Sequence, residues 1–406
     1  MAEVIFILTQ TAPLWVTFIL LMVFWHEWVD YVRAEFIFKQ EHKLLQIKLP
    51  TEMFKSPLSM ELFLTTLHQT GGEGTWYDKY WLGKSRAWFT LEMVSLEGNV
   101  HFYIWTRKGM RNFIESSLYA QYPGIEIHEV ADYALPVQFD KNTMSMWAAE
   151  LEFVKDDAYP IKTYVDYGLD KDPKEEFKID PIAPVIEFLG SIGAHQQVWI
   201  QLNVRAYKAD ELKIGTLFKF KRDPLKEKAE KAISEILIRD PKTKISGNPE
   251  EGSSKNPTIT KGEQEVVAAI ERNMSKLQFD VGIRMAYIGK NGFYNPANIA
   301  GLTGSWKQYS SNSLNGFKPF SDDYSPSFSY PWQDFRGMRN AEAMERFLNG
   351  YKRRNFFFPP VKGNKVMVMS SEELATIFHF PGQVAAAPTF TRILSKKSEA
   401  PANLPI

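Results

Sequence analysis

Residues 4–25 form an apolar run without a charged side chain, and this run limits what the chain can fold into more than any other feature. A helix rises about 1.5 Å per residue, so a run of this length can cross the hydrocarbon core of a bilayer, which is about 30 Å thick. The sequence that follows, from HEWVDYVRAEFIFKQ onward, has the mixed polarity of soluble protein. We therefore predict that residues 1–40 form a transmembrane anchor with a juxtamembrane helix, and that the remainder forms one large exposed body.

Two alternatives to a retained anchor stay open. A cleaved signal peptide needs a positively charged start and a small-residue cleavage site, whereas this run follows MAE and leads into WVDY. A buried core helix is the other alternative, because polar residues and Pro13 interrupt the run. The rings of Trp25, Trp28 and Tyr31 favour the anchor, since such rings collect at the membrane–water interface.

The basic residues near the predicted span all follow it, as Arg33, Lys39, Lys43 and Lys48. The positive-inside rule therefore predicts that the body of a single-pass protein faces the cytoplasm. The absence of cysteine agrees with a reducing compartment and excludes a disulfide scaffold or a thiolate metal site. The formal net charge is zero, so the composition gives no support for attraction of the whole protein to nucleic acid.

Residues 41–140 have the clearest periodicity in the body. Alternating apolar residues predict four strands, and two helical stripes lie between them. The strands are predicted at 45–49, 89–93, 100–104 and 125–130, and the helices at 60–67 and 110–118. The resulting order, β-α-β-β-α-β, is that of a ferredoxin-like unit with two helices on one face of an antiparallel sheet.

Residues 141–395 predict a second α+β unit that carries an insertion. QVWIQLNVRAY reads as a central strand, and Thr260 with Glu263 predicts a capping box at the start of a helix. A charged helix precedes a tract at about 240–258 that is rich in Pro, Gly, Ser and Lys and is predicted to be a flexible loop. Residues 396–406 read as a linker-like tail. The predicted fold class is α+β.

The segment 310–335 combines many rings with Ser, Pro and Asp, which excludes a regular helix. Two interpretations stay open for it. The segment either packs as an irregular loop on its own domain or forms a surface that contacts a partner.

No complete catalytic signature occurs in the sequence. Gly83-Lys84-Ser85 resembles the end of a phosphate-binding loop, but Asp78 stands where the first glycine is required and a strand follows. The histidines show no metal-binding spacing, and no GxSxG nucleophile elbow is present. We predict that the chain is not an enzyme and holds no cofactor or metal.

Two basic clusters are candidate contacts for single-stranded nucleic acid or anionic lipid, because cations neutralise phosphates and neighbouring rings stack on bases. The alternative is a solvated helix end followed by core residues. The candidate residues are Lys219, Lys221 and Arg222, and Lys352, Arg353 and Arg354 ahead of Phe356, Phe357 and Phe358.

Four segments together resemble a known class of proteins. They are YVRAEFIFKQEHKLLQIKLP, FTLEMVSLEGNVHFYIWTRKGMRNFIESSLYAQYPGIEI, AYPIKTY and SSEELATIFHFPGQVAAAPTFTRILSKKSEAPANLP. In this order they resemble the non-ATPase half of membrane-anchored conjugative-transfer ATPases of the type IV secretion class. The resemblance extends over nearly the whole chain.

The resemblance implies a single-pass scaffold of the inner membrane for a DNA-translocating ATPase, with the phosphate-loop domain supplied by a separate polypeptide. It implies that residues 370–380 lie close to that motor, with Glu372, Glu373, Thr376 and His379 as candidate partner-facing residues. Ser370 and Glu373 also predict a capping box. Two other functions stay open: a membrane-bound module for single-stranded DNA, and a structural envelope protein that self-associates.

Overall fold

A computed structural model shows a mixed α+β protein with an apolar N-terminal helix and a large antiparallel sheet. The structure describes residues 2–50, 55–170, 179–209, 223–238, 260–321, 323, 324, 326, 328, 330–359 and 362–382. The predicted tract at 240–258 and the tail at 396–406 lie outside these residues.

The elements follow one another from the N-terminal helix to a short helix near residue 377. The helices are α1 (Ala2–Phe38), α2 (Pro57–Leu67), α3 (Trp76–Tyr80), α4 (Arg111–Gln121), α5 (Ala183–Gly190), α6 (Pro224–Ile238), α7 (Lys261–Ser275), α8 (Ala297–Gly304), α9 (Met338–Arg353) and α10 (Ser371–Ile377). The strands are β1 (His42–Lys48), β2 (Trp88–Leu96), β3 (Asn99–Arg107), β4 (Glu126–Val130), β5 (Met144–Phe153), β6 (Gln196–Ala206), β7 (Gln278–Lys290), β8 (Phe317–Phe320) and β9 (Met367–Ser370).

All the described strands belong to a single sheet. Its order is β4-β1-β3-β2-β6-β7-β5-β8, and β9 pairs with the start of β7. The first four strands therefore lie in the order β4-β1-β3-β2, and β5 to β8 repeat this order as β8-β5-β7-β6. The two halves meet where β2 pairs with β6, from Trp88 opposite Arg205 to Leu96 opposite Gln197. The two predicted units, 41–140 and 141–395, thus share one sheet.

Local sequence signals account for several element ends. Ser56 caps α2 by accepting a hydrogen bond from the Leu58 amide at 3.3 Å, ahead of Pro57 in the first turn. The predicted capping boxes at Thr260 and Ser370 are confirmed. Glu97 and Gly98 both adopt positive φ in the tight turn between β2 and β3, a conformation that glycine adopts without steric cost.

Both faces of the sheet are buried. The first face packs against α2, α4, α5, α8 and α10, which contribute residues such as Phe63, Leu118 and Ile186. The second face carries Trp88, Trp105 and Trp199 and packs against α9, residues 356–358 and the end of α1. Strands β2, β6 and β7 are therefore buried along both faces. An alternating pattern by itself predicts a strand with only one buried face.

The strands run between two ends of the sheet, and these ends carry different surfaces. The α1 end contains the starts of β1, β2 and β7 and the ends of β3, β4 and β6. The far end contains the starts of β5 and β6 and the end of β7. Helix α9 begins near the far end, where Lys141 Nζ donates to the Arg336 carbonyl at 3.1 Å. It finishes at the α1 end, where the Trp88 indole donates to the Arg354 carbonyl at 2.8 Å.

Replacing Gly282 with valine should destabilise the protein. A Cβ at Gly282 would lie 2.2 Å from the Phe356 ring, which is fully buried and has no room to move. We expect overpacking to cost about 1–3 kcal/mol of unfolding free energy, measured by urea denaturation. Gly262→Ala is the control, because a Cβ there meets nothing within 4 Å. Equal midpoints for Gly282→Val and the wild type would contradict this packing.

Candidate functional site

Helix α1 has two parts with different surroundings. Its side chains from Leu14 to Trp25 project from the body and are exposed, whereas Val29 and Val32 are buried against it. The segment Gln10–Phe38 is the one candidate in the described part of the chain that is long and apolar enough to cross a membrane, judged by length and composition. The helix continues from the projecting part into the docked part without a break.

Helix α3 packs its rings against α1 where the two parts of α1 meet. Ring centroids of Trp25 and Trp76 lie 6.0 Å apart, those of Trp25 and Tyr80 5.8 Å, and those of Trp28 and Trp81 5.5 Å. We call these five residues the aromatic collar. Trp76 is 59% exposed, and Tyr77, Trp81 and Leu82 beside it are also exposed.

The position of α3 is set by local bonds and by one close approach. Thr75 and Asp78 form a capping box, and Lys84 Nζ contacts Asp78 at 2.8 Å. Gly83 has a φ of 61°, and a Cβ at this position would lie 2.2 Å from the Val32 carbonyl oxygen. Only glycine lets the chain after α3 pass this close to the α1 backbone. Helix α3 is therefore held against α1 by the close approach of the two backbones as well as by contacts between the rings.

A cavity of about 980 Å³ lies on another side of the docked part of α1. We call it the α1 groove. Its walls come from α1, from the start of β1, and from the segment that ends α9, and residues from each contribute polar and apolar surface. These include Tyr31, Glu35, Phe38, His42, Lys43, Trp105, Asp132, Lys352 and Arg353.

The acidic side chains of the α1 groove already have cationic partners. Glu35 pairs with Lys39 at 2.6 Å, Glu129 with Arg111 at 3.0 Å, and Asp132 with Arg354. Lys352 is half-buried and Arg353 is exposed, and neither forms an ion pair with a residue in the described ranges. These two residues keep their predicted role as candidate phosphate or lipid contacts.

Arg354 lies beneath the groove in a buried ion-pair network. Its Nε donates to Glu92 Oε1 at 2.7 Å and its Nη2 donates to Asp132 Oδ1 at 3.0 Å, while both Arg354 and Glu92 are 0% exposed. Burial opposes the charge, but the Glu92 and Asp132 carboxylates raise the pKa of Arg354 well above its usual value. Tyr133 donates to Glu92 Oε2 at 2.9 Å.

The prediction that Arg354 contacts nucleic acid or lipid is therefore wrong. The residue has a φ of 49° as the C-cap of α9, which turns its side chain inward instead of continuing the basic face. Phe356, Phe357 and Phe358 are buried as well and are not available for stacking on bases. Lys219, Lys221 and Arg222 lie outside the described residues.

The prediction that residues on and after α10 face a partner is also wrong. Glu372, Glu373, Thr376 and His379 are buried and hold other parts of the same chain. Glu373 accepts from the Ile161 amide at 2.9 Å. Glu372 accepts from Thr163 at 2.6 Å, Thr376 accepts from the Tyr164 amide at 2.9 Å, and His379 contacts Asp180 at 2.9 Å. Burial raises the pKa of Glu373 to about 7.

The aromatic segment 310–335 is partly packed on its own domain and partly exposed. Phe317 packs on the first core, and the Tyr324 hydroxyl donates to Glu150 at 2.8 Å, so this part is bound to its own domain. At the far end, Tyr330, Trp332, Phe335 and Met338 are exposed, with Trp332 at 75%. We call these four residues the far-end patch. The rings of Tyr330 and Trp332 stack with centroids 4.7 Å apart.

Sequence reasoning missed the part of the collar that α3 provides. The signal was WYDKYWL, a short segment with four rings and no strand alternation, next to the rejected phosphate-loop candidate. Within the parts of the chain that the structure describes, no group of three or more His, Asp or Glu side chains is arranged to hold a metal ion.

Comparison with known proteins gives one family match. The model of a domain of unknown function, designated DUF8128, matches residues 34–391. No curated protein matches the chain. The matched region starts within the docked part of α1 and includes the sheet, the groove and the far-end patch.

Replacing Arg354 with methionine should strongly destabilise the protein, because Glu92 would stay buried without its cation. We expect a loss of about 3–5 kcal/mol in urea denaturation. Arg353→Gln is the matched control one position away, and its exposed side chain should change stability by no more than about 0.5 kcal/mol. A small loss for Arg354→Met would contradict the burial of this pair.

Acid should destabilise the protein through His42 in the α1 groove. Its ring stacks on Trp105 at 4.0 Å, and burial, together with the nearby Arg107, lowers the pKa of His42 to about 4. The unfolded chain binds this proton near pH 6.5 while the folded chain does not, so stability falls as the pH drops from about 6.5 to about 4.

His42→Phe keeps a ring on Trp105 and removes the titrating group. We expect its melting temperature to fall less than that of the wild type across this window, measured by circular dichroism at several pH values. Parallel profiles for the two proteins would argue against the role of His42.

Proposed function

The chain belongs to the DUF8128 family. We propose that it is a membrane-anchored, non-catalytic scaffold whose body docks an ATPase of the type IV secretion or conjugation class. The observation that carries this proposal is the construction of α1, which joins an exposed apolar segment to a buried, docked segment in one helix. An anchor built in this way holds the body at the membrane in a defined position.

The docked part of α1 supports a retained anchor over a cleaved signal peptide. Arg33 lies over the Phe358 ring at 4.9 Å, and Arg107 lies over the Phe36 ring at 5.6 Å. Removal of residues up to the end of the apolar run would also leave Trp76 without Trp25, its ring partner. The exposure of the projecting part argues against a core helix, because a core helix buries its apolar side chains.

The strand orders support two ferredoxin-like units joined edge to edge. Each half has the order fourth, first, third, second, and helices between the strands pack on the same face. This is the arrangement of a split βαβ unit. In this interpretation α6 and α7 form the insertion of the second unit, between β6 and β7.

The body is proposed to face the cytoplasm of a bacterial inner membrane. Arg33, Lys39, Lys43 and Lys48 follow the uncharged run 4–25 and would lie on the cytoplasmic side by the positive-inside rule. In this orientation Lys352 and Arg353 lie near the anionic surface of the cytoplasmic leaflet, where basic residues are attracted.

The far-end patch is the proposed docking surface. Helix α9 is 16 residues long, and at about 1.5 Å per residue it separates the patch from the α1 end by about 24 Å. The patch is held in shape, since Asp334 accepts from the Arg339 amide at 2.8 Å and Arg339 donates to the Gln333 carbonyl at 3.0 Å. Exposed rings in a fixed arrangement are typical of protein interfaces, and the choice of an ATPase rests on the resemblance of the chain to conjugative-transfer proteins.

A role as a module for single-stranded DNA has less support. In the second basic cluster, Arg354 and the three phenylalanines that follow it are buried. Only Lys352 and Arg353 remain accessible, and these three phenylalanine rings cannot stack on bases. Self-association through the patch is a competing outcome of the test below.

Replacing Trp332 and Phe335 with serine should abolish recovery of the partner. We expect the tagged wild-type protein, isolated from host membranes in mild detergent, to recover a phosphate-loop ATPase identified by mass spectrometry. The double variant should lose this partner, because the interface would lose its two most exposed rings. Val154→Ser is the control, since Val154 is exposed outside the patch.

Three outcomes would overturn parts of this proposal. Failure of the wild type to recover any phosphate-loop ATPase would exclude the ATPase partner. Recovery of the chain alone would favour self-association. Undiminished recovery with the double variant would place docking elsewhere on the body.

A further inference from the structure

We propose that α3 is a second membrane contact, and that its exposed rings lie in the interface of the same bilayer that α1 crosses. The inference rests on the proposed anchoring by α1 and adds that the body lies against the membrane surface in one orientation. The partner of α3 is the interfacial region of the bilayer, where hydrated headgroups lie over the hydrocarbon core.

The exposed side of α3 has the composition that such an interface selects. Trp76, Tyr77, Trp81 and Leu82 are all exposed within seven positions, next to the base of the projecting helix. Tryptophan and tyrosine combine a large apolar ring with a polar N–H or O–H group, so they concentrate where one end of the side chain is wet and the other is not. A cluster of this kind left in water would be costly and prone to association.

The ring contacts with α1 place α3 at the depth of the bilayer surface. In α1 the exposed apolar side chains end at Trp25, and Val29 and Val32 are buried against the body, so the part of α1 that lipid could surround ends near Trp25 and Trp28. Trp76 and Tyr80 lie about 6 Å from Trp25, which puts α3 at the same level along the α1 axis. A bilayer that covers the projecting part of α1 therefore also reaches the exposed rings of α3.

The attachment of α3 to α1 fixes this depth. The approach of Gly83 to the Val32 carbonyl and the capping box of Thr75 and Asp78 leave little freedom for α3 to move away from α1. Lys79 adds a cation beside Tyr80, with its Nζ 5.6 Å from the ring centroid, where it can meet lipid phosphates. Two contacts at different points on the body restrict its tilt, which a single helix would leave free.

Site-directed spin labelling of the full chain in nanodiscs tests this inference. The sequence contains no cysteine, so single cysteines can be introduced without removing any. We would label Leu20→Cys in the projecting part, Tyr77→Cys and Leu82→Cys on α3, and Phe293→Cys after the end of β7 at the far end, all at exposed positions. Collision rates with oxygen, which partitions into lipid, are compared with those of a water-soluble nickel complex.

We expect the ratio of oxygen to nickel collisions to be highest at position 20. At positions 77 and 82 it should be several-fold higher than at position 293. If positions 77 and 82 match position 293 while position 20 remains in lipid, the second contact is excluded and the anchor stands. If position 20 also matches position 293, both the anchor and the contact of α3 are excluded.

Discussion

The pairing of β2 with β6 is the interaction on which the rest of the structure depends. It joins the four strands of the first half to those of the second along the full length of β2. Each of these strands would otherwise be an exposed edge with unpaired backbone groups. The joined sheet is wide enough for both faces to be covered, which gives α9 a continuous surface to cross between the two ends of the molecule.

The second face of the sheet combines rings with buried ion pairs, and the segment after α9 closes over both. Arg205 pairs with Asp280 at 2.7 Å and Arg284 with Glu150 at 3.1 Å, and the rings of Phe357 and Phe356 lie over these two guanidinium groups. Removing one member of such a pair leaves a buried charge without compensation. The pairs therefore penalise any other position of this segment, and they hold the end of α9 at the α1 end of the sheet.

Patterns within single elements were readable from the sequence, whereas contacts between distant elements were not. Alternation and capping signals located β1 to β4, α2 and α7, because those signals depend on neighbours along the chain. The pairing of β2 with β6 depends on which strand edges meet, and no local pattern records that. Arg354 was misassigned because three consecutive basic residues suggest a solvated face, while a left-handed C-cap turns the third inward. For α10, an amphipathic start was visible, but burial of its acidic side came from segments about 200 residues away.

The direction of the strands has a mechanical consequence. Because the strands run between the α1 end and the far end, a pull between α1 and the far-end patch acts along them. The hydrogen bonds of an antiparallel pair lie perpendicular to the strands, so this load shears many bonds at once instead of peeling them apart one by one. Because these hydrogen bonds resist the shear together, the sheet resists extension in this direction. The body can therefore transmit a pulling force between its two ends with little deformation.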